Sequence, residues 1–118
     1  MAIQVFVYLN PKKNMANKSQ TESTAIKTLS EMLKALGHPS RISIMLLLCN
    51  SKTEKMIVKT IYESMKLPQP IISRHLGILK NCGLLKRSVE GQDTYYELIT
   101  DNEYVLKIKD CFKSIKQG

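Results

Sequence analysis

Residues 67–85 read LPQPIISRHLGILKNCGLL, and this stretch decides the fold. Three of its apolar residues recur at helical spacing and form one stripe that we expect to be buried: Ile72, Leu76 and Leu79. Gly83 follows the last periodic residue, at the position where a left-handed helix stop favours glycine, and Leu84 then starts an extended run. The spacing therefore predicts a helix from about Gln69 to Cys82 that leads into a strand.

The opposite face of this predicted helix is polar, because Gln69, Ser73, Arg74 and Lys80 lie off the apolar stripe. One face can hold the fold, and the other is free to face a groove of a partner such as DNA. Arg74 is the strongest candidate for reading a base, since a bidentate guanidinium contact to guanine is the commonest specific pairing and is worth about 1–3 kcal/mol. A phosphate contact is nearly as well supported for Arg74, and the sequence leaves open whether Gln69 and Ser73 reach bases or phosphates.

Apolar spacing predicts four further helices: from about Ser23 to Leu36, from Pro39 to Cys49, from Val58 to about Lys66, and from Tyr104 to Ile115 after the capping candidate Asp101. Gly37 is a stop signal after the first of them, and residues 50–55 are polar enough to form a loop. The β-type runs 85–89 and 94–98 flank a glycine-containing turn at residues 90–93, which predicts a hairpin. Together these elements predict a mainly α-helical fold with a small β-hairpin, a winged helix-turn-helix of about five helices plus a wing.

The composition is that of one small basic domain. The chain has 118 residues, a formal net charge of +8 and a pI near 9.5, which favours a polyanionic partner such as double-stranded DNA. A basic surface that serves only solubility would have the same composition. Three cysteines at long spacings form neither a disulfide framework nor a Cys-x-x-Cys site, which predicts a reducing, cytoplasmic location. No nucleophile, metal-ligand or phosphate-loop motif is present, so neither enzymatic activity nor a cofactor is predicted.

The two ends of the chain differ from its middle. Residues 1–14 combine a strand-like run, Ile3–Leu9, with turn residues, and the run is too short to span a bilayer. Met15 reads as an alternative chain start, so residues 1–14 are interpreted either as an upstream-start extension or as native sequence. Residues 15–118 are predicted to form a winged-helix DNA-binding domain. Its first and last helices are more apolar than so small a core requires, so we expect them to pair between two subunits.

Three motifs resemble those of the ArsR/SmtB family of bacterial winged-helix repressors: LKALGHPSRI at residues 33–42, QPIISRHL at residues 69–76 and YYEL at residues 95–98. The resemblance covers roughly residues 24–115. It implies a homodimeric transcriptional repressor that occupies an operator near its own gene and releases it on binding an inducer. A winged-helix dimerisation or docking module without specific DNA binding is the alternative, because fold alone does not settle function.

The polar helix face, the wing and the resemblance together give one predicted set of DNA-binding residues: Gln69, Pro70, Ile71, Ser73, Arg74, His75, Lys80, Lys86, Arg87 and Gln92. For His75 the resemblance implies either a structural or a phosphate-facing role, and no readable motif places a catalytic partner near it. His38 is interpreted as part of the turn before the second helix.

Two departures from the family pattern affect this set. Pro68 stands where many members carry a serine cap before the recognition helix, here the predicted helix 69–82, so the cap oxygen for its first amides must come from elsewhere or be replaced by water. Gln92 and Asp93 stand where the wing usually carries arginines. We therefore expect Lys86 and Arg87, rather than the tip, to dominate the affinity of the wing for DNA.

The resemblance also raises metal and thiol sensing. Where the metal-responsive branch carries a Cys-x-Cys pair, this chain has Ile57 and Lys59, and residues 101–116 contain no histidine, so no metal site is predicted. Cys49 and Cys111 lie near positions that some members use as a thiol switch, which makes a small inducer such as a reactive sulfur species one hypothesis. The alternative is that both cysteines are small buried apolar residues. We expect any signal to act at the dimer helices and to change the angle between the two recognition helices.

Overall fold

The computed structural model describes residues 16–115, with side chains from residue 21 onward. The predicted extension 1–14, with its strand-like run Ile3–Leu9, therefore lies outside the described residues. The chain divides into two compact units, residues 1–30 and residues 31–118. In the described part, the first unit is the N-terminal portion of one helix, and the second unit holds all the remaining elements.

The described residues form five helices and three strands. The helices are α1 (Ala16–Leu36), α2 (Pro39–Cys49), α3 (Val58–Met65), α4 (Gln69–Asn81) and α5 (Glu103–Phe112). The strands are β1 (Lys55–Ile57), β2 (Leu85–Glu90) and β3 (Asp93–Leu98), and they form an antiparallel sheet in the order β1-β3-β2. This architecture confirms the predicted winged helix-turn-helix, with α3 and α4 as the helix-turn-helix and the β2–β3 hairpin as the wing.

The sequence pattern does not predict β1. Residues 50–55 read as a loop, and a three-residue strand has too little alternation to be recognised locally. The strand forms because Met56 pairs with Tyr96 of β3, a contact between distant parts of the chain. Just before it, the Glu54 carbonyl accepts a hydrogen bond from the Leu98 amide at 3.0 Å. The strand thereby joins the wing to the start of α3.

The starts of two helices also differ from the prediction. α1 begins at Ala16 rather than near Ser23. Residues 16–22 include several good helix formers, which extends the helix, but they carry no apolar period from which the extension could be recognised. α5 is capped by Asn102 instead of Asp101. The Asn102 side-chain oxygen accepts hydrogen bonds from the amides of Tyr104 and Val105 at 2.8 and 3.3 Å. The α5 prediction was thus wrong by one residue at its cap.

One cluster of buried residues forms the core of the second unit. It draws on the last turn of α1, on α2 to α5 and on the sheet, and its fully buried members include Ile44, Met45, Leu48, Ile61, Ile72, Leu76, Leu79, Leu84, Leu98 and Val105. The predicted α4 stripe is therefore confirmed. Burying one such side chain contributes about 1.5–3 kcal/mol, so the stripe determines which face of α4 remains exposed.

The ends of α3 and α4 share one hydrogen-bond arrangement. After α4, Gly83 has a φ of 93°, its amide donates to the Lys80 carbonyl at 3.1 Å, and the Leu84 amide donates to the Leu79 carbonyl at 3.0 Å. This confirms the predicted left-handed stop at Gly83. After α3, the same pair of bonds forms around Lys66, whose φ is 58°. A lysine thus occupies a left-handed position that usually favours glycine.

Candidate nucleic-acid interface

The exposed face of α4 carries most of the predicted DNA-binding residues. All members of the predicted set on this helix except His75 are exposed: Gln69, Pro70, Ile71, Ser73, Arg74 and Lys80. Ile71 leaves 44% of its surface exposed although it is apolar. Ile72, about 100° further around the helix, is fully buried in the core, so the side chain of Ile71 is left at the surface.

The N-terminus of α4 compensates for its missing cap. Pro68 provides no side-chain cap hydrogen bond, as predicted. Its carbonyl accepts hydrogen bonds from the amides of Ile71 and Ile72 at 3.1 and 3.2 Å, and Pro70 has no amide hydrogen to satisfy. The missing cap therefore concerns the first-turn amide of Gln69 alone, so the helix start is better fixed than the sequence suggests.

A groove of about 430 Å³ lies between α3, α4 and the wing. It brings Gln69 and Ser73 of α4 together with Arg87 and Gln92 of the wing. The groove wall also contains residues that the sequence analysis did not assign to the site: Ile57, Val58, Lys59, Tyr62, Asp93, Thr94 and Tyr96. The helix and the wing therefore share one continuous, largely polar surface.

Lys59 is the cation that sequence reasoning missed. It is exposed in the first turn of α3 and lines the groove. In the sequence it stands out only as an unsuitable metal ligand. The signal that could have identified it is a lysine in the first turn of α3, where the helix dipole disfavours a cation. Asp93 places an opposing carboxylate in the same groove.

The two wing cations Lys86 and Arg87 occupy opposite faces of β2, because side chains alternate along a strand. Arg87 lines the groove and stands opposite Tyr96 of β3. Lys86 stands opposite Glu97 and does not belong to the groove wall. A carboxylate directly across the strand pair offsets the charge of a lysine. The structure thus separates two residues that the sequence analysis treated alike.

The wing is joined to β1 by Lys55. Its Nζ lies 2.5 Å from Glu90 Oε2 and 4.7 Å from the centroid of the Tyr95 ring. The hydrogen bond to Glu90 is the largest of the effects that raise the pKa of Lys55. Because the pair is exposed, it adds little to global stability. The pair does connect the end of β2, at the turn of the wing, to β1.

His75 is buried, which contradicts its predicted contact with DNA. Only 7% of its surface is exposed, and it follows Ile72 at helical spacing on the buried stripe, a signal that could have identified it as a core residue. Arg41 Nε donates a hydrogen bond to His75 Nδ1 at 3.2 Å, and the His38 and His75 ring centroids are 4.8 Å apart. Burial, followed by the charges of His38, Arg41 and Arg74, lowers the pKa of His75. Of the two roles implied by the resemblance, the geometry supports the structural one.

His38 has the predicted place in the turn before α2. Its Nδ1 accepts a hydrogen bond from the Ser40 amide at 3.2 Å, and Pro39 occupies the first turn of the helix. The turn is therefore capped by a histidine side chain where serine or asparagine is more usual.

Cys49 and Cys111 lie in different environments. Cys49 is half-buried and lines a cavity of about 310 Å³ together with Lys109 and Phe112. Burial raises the pKa of the Cys49 thiol, an effect that Lys109 opposes and Glu54 reinforces. Cys111 is exposed, and at 3.6 residues per turn it lies about 200° around α5 from Lys109. Within one protomer, the two thiols therefore face different directions, and Cys111 is not the buried residue of the alternative interpretation.

In the part of the chain that the structure describes, no group of three or more His, Cys, Asp or Glu side chains is placed to hold a metal ion. None of the described helices has both the length and the apolar character that a membrane span needs.

The helix-turn-helix, the exposed polar face of α4 and the groove shared with the hairpin define a winged helix-turn-helix protein. The chain belongs to the ArsR family of bacterial regulatory proteins, whose sequence model matches residues 38–87, from the turn before α2 into β2. It is 38% identical over 82 residues to an uncharacterized HTH-type transcriptional regulator of Methanocaldococcus jannaschii, a match that covers 69% of this chain and 90% of that protein.

Solved structures show the same fold. The transcriptional repressor PagR of Bacillus anthracis matches with a TM-score of 0.66 and 30% identity, over 76% of this chain and 98% of that chain. A homodimeric winged helix-turn-helix DNA-binding domain from Mycobacterium bovis matches with a TM-score of 0.70 over 86% of this chain and 89% of that chain. At 24% identity, this second likeness concerns the fold alone.

Proposed function

We propose that the protein is a homodimeric transcriptional repressor that binds double-stranded DNA in a sequence-specific manner. The observation that carries this proposal is the groove in which Gln69 and Ser73 of α4 face the same space as Arg87 and Gln92 of the wing. A helix in the major groove and a wing beside it span adjoining parts of one duplex. The net charge of +8 supplies the attraction to phosphates. Membership of a family of regulatory proteins, and a similar repressor from Bacillus anthracis, support this function.

Arg74 and Ile71 are the residues of α4 that we assign to base contacts. Both are exposed on the face opposite the core. A guanidinium can donate two hydrogen bonds to O6 and N7 of guanine, and an exposed aliphatic side chain can pack on the methyl group of thymine. Pro70 lies between the exposed Gln69 and Ile71 and offers no amide donor, so it limits how the first turn contacts the backbone of the DNA.

Lys59 and Arg87 are the residues that we assign to phosphates. They lie on α3 and β2, at two walls of the groove. Asp93 lines the groove as well, and its carboxylate repels a phosphate from its own position. The DNA backbone is therefore expected to follow the two cations. Lys80, exposed in the last turn of α4, extends this positive surface along the helix.

Exposed apolar residues on α1, on α5 and just after the end of α5 support the homodimer. In the second unit, Leu33 is 54% exposed, Leu106 is 42% exposed and Ile115 is 43% exposed. In the first unit, Ile26 is exposed as well. Large apolar side chains left exposed to water are the kind of surface that another chain can cover. We propose that α1 and α5 form a two-fold interface, which would present two copies of α4 to successive major grooves.

The first test measures binding of the purified protein to the DNA upstream of its own gene and to random DNA of equal length, over a range of salt concentrations. We expect at least about 10³-fold preference for the upstream DNA, and an affinity that falls steeply with salt. Equal affinity for both DNAs would refute sequence-specific binding. A flat salt dependence would instead favour the docking module.

An Arg74→Ala variant separates the two roles of Arg74. A loss of affinity confined to the upstream DNA identifies base readout, worth about 1–3 kcal/mol. Equal losses on the upstream and random DNA identify a phosphate contact.

A thiol-reactive inducer stays a prediction, and we propose Cys111 as its first site of reaction. Cys111 is exposed, whereas burial raises the pKa of Cys49 and keeps it protonated at neutral pH. The test is DNA release after treatment with a persulfide donor, compared between Cys111→Ser and Cys49→Ser variants. Release that survives Cys111→Ser and is lost in Cys49→Ser would refute this order of reaction.

A further inference from the structure

Arg41 connects three helices of the second unit through one side chain. Arg41 is on α2, its Nη1 donates to the Ala35 carbonyl of α1 at 2.9 Å, and its Nε donates to His75 Nδ1 of α4 at 3.2 Å. The His75 side chain is on the buried face of α4, directly next in sequence to the exposed Arg74. The contact therefore holds the recognition helix from behind the surface that we assign to DNA.

The hydrogen bond between Arg41 and His75 requires a neutral imidazole. An arginine donates and does not accept, so His75 Nδ1 must carry a lone pair and the ring proton must be on Nε2. Protonation of His75 would replace the acceptor with an N–H group that faces the guanidinium. A hydrogen bond then becomes a repulsion between two cations in a poorly solvated site.

The surroundings of His75 oppose protonation. The groups that act on its charge are His38 before α2, Arg41 on α2 and Arg74 on α4, and each of these is a cation or becomes one. Together with burial, they lower the pKa of His75. No carboxylate is among the groups that the structure places in electrostatic contact with His75 within the described residues.

We infer that Arg41 is a positioning residue for DNA binding, which sets the orientation of α4 through its hydrogen bond to the neutral His75 and releases the helix when His75 takes up a proton. This inference rests on the proposed DNA-binding function of α4. It predicts that mild acid weakens DNA binding. A histidine that faced phosphate would do the opposite, because its added charge would strengthen binding as the pH falls.

Linkage gives the same sign for the effect of acid on the stability of the packed α4. The pKa of His75 is lower in the folded protein than its ordinary value of about 6.5, so the unfolded or displaced state binds more protons. The Arg41–His75 contact contributes its full stabilisation of the packed helix above about pH 6.5. This stabilisation is lost as the pH falls through the folded-state pKa of His75. If DNA binding lowers the pKa of His75 further, DNA affinity falls by at most about tenfold per α4 helix for each unit of that change, and this limit is reached only below both pKa values.

The test measures DNA affinity between about pH 5.5 and 8 at constant ionic strength, in the range where histidines titrate. The key variant is His75→Asn, whose Oδ1 takes the place of Nδ1 as an acceptor and does not titrate. His38→Asn is the matched control, because asparagine keeps a capping oxygen for the Ser40 amide. We expect affinity to fall in acid for the wild type and for His38→Asn, and to be nearly constant for His75→Asn. Circular dichroism at each pH separates weakened binding from unfolding.

A second variant covers the case in which His75→Asn does not fold. Arg41→Lys keeps the charge but has one donor nitrogen in place of Nε and Nη1, so it cannot reproduce the two contacts to His75 and to the Ala35 carbonyl in their present geometry. We expect it to bind DNA several-fold more weakly at pH 7.5 than the wild type does, with a smaller change in acid. Wild-type affinity that is constant or rises in acid, or a fall that persists in His75→Asn, would overturn the inference. A fall that disappears in His38→Asn would assign the effect to the other histidine and overturn it as well.

Failure of the proposed function would be recognised separately. Lack of DNA binding by the wild type at pH 7.5 would refute the function, and with it the role of Arg41 in DNA binding. NMR titration of the His75 ring in the free protein would still decide the Arg41–His75 contact. A pKa at or above the ordinary value of histidine would refute the contact itself.

Discussion

Replacing Arg87 by alanine should weaken DNA binding much more than replacing Lys86, although each change removes one positive charge from the same strand. Arg87 lines the groove beside Ser73, whereas Lys86 stands across the strand pair from Glu97. One phosphate contact contributes a slope of about −0.9 to the logarithmic salt dependence, which corresponds to about fivefold in affinity at about 0.15 M salt. A dimer has two wings, so Arg87→Ala should lower affinity by about thirtyfold and reduce the salt slope by about 1.8. Lys86→Ala should change affinity by less than about twofold and leave the slope unchanged.

The assay is fluorescence anisotropy with labelled upstream DNA, from about 0.05 to 0.3 M salt, where the electrostatic term is large. Urea unfolding of both variants checks that neither change damages the fold. Equal losses in Arg87→Ala and Lys86→Ala would refute the reasoning, because they would mean that net charge, rather than the face of β2, determines affinity. A salt slope unaffected by Arg87→Ala would show that its guanidinium does not meet a phosphate.

Three further predictions follow from the helix ends, the exposed face of α4 and the cysteines. Lys66→Gly should raise the free energy of unfolding by about 0.5–1 kcal/mol in urea denaturation, because the relief of left-handed strain exceeds the added chain entropy. Gly83→Ala should lower the free energy of unfolding by about 1 kcal/mol or more. Changes of the same sign in the two variants would contradict the shared geometry. Ile71→Ala should weaken operator binding about fourfold per subunit, and replacing the contacted thymine by deoxyuridine should then have no further effect; additive losses would exclude the methyl contact. Cys111 should be alkylated at least about tenfold faster than Cys49 at neutral pH, as measured by peptide mass spectrometry, and equal rates would contradict the difference in exposure.

Features that depend on neighbouring residues could be predicted from the sequence. The α4 stripe follows from helical spacing, since residues three and four apart share a face wherever the helix packs. Gly83 and the wing turn around Gly91 follow from backbone sterics, because both adopt positive φ, at 93° and 65°. The sequence therefore sufficed for the winged helix-turn-helix and for the polar face that carries Arg74.

The candidate site required the tertiary structure, because its residues meet only after distant segments pack. Lys59 and Arg87 are far apart in sequence and line one groove. β1 depends on pairing with β3, so its three residues carry no signal of their own. His75 shows the same limit. In the sequence analysis it is assigned to the DNA contact although helical spacing could have placed it on the buried face, and only the packing of α2 against α4 supplies the Arg41 donor that explains a histidine there. Local sequence determines which face of an element is apolar, whereas the partner that each side chain meets is decided by the packing of elements that the chain brings together over long separations.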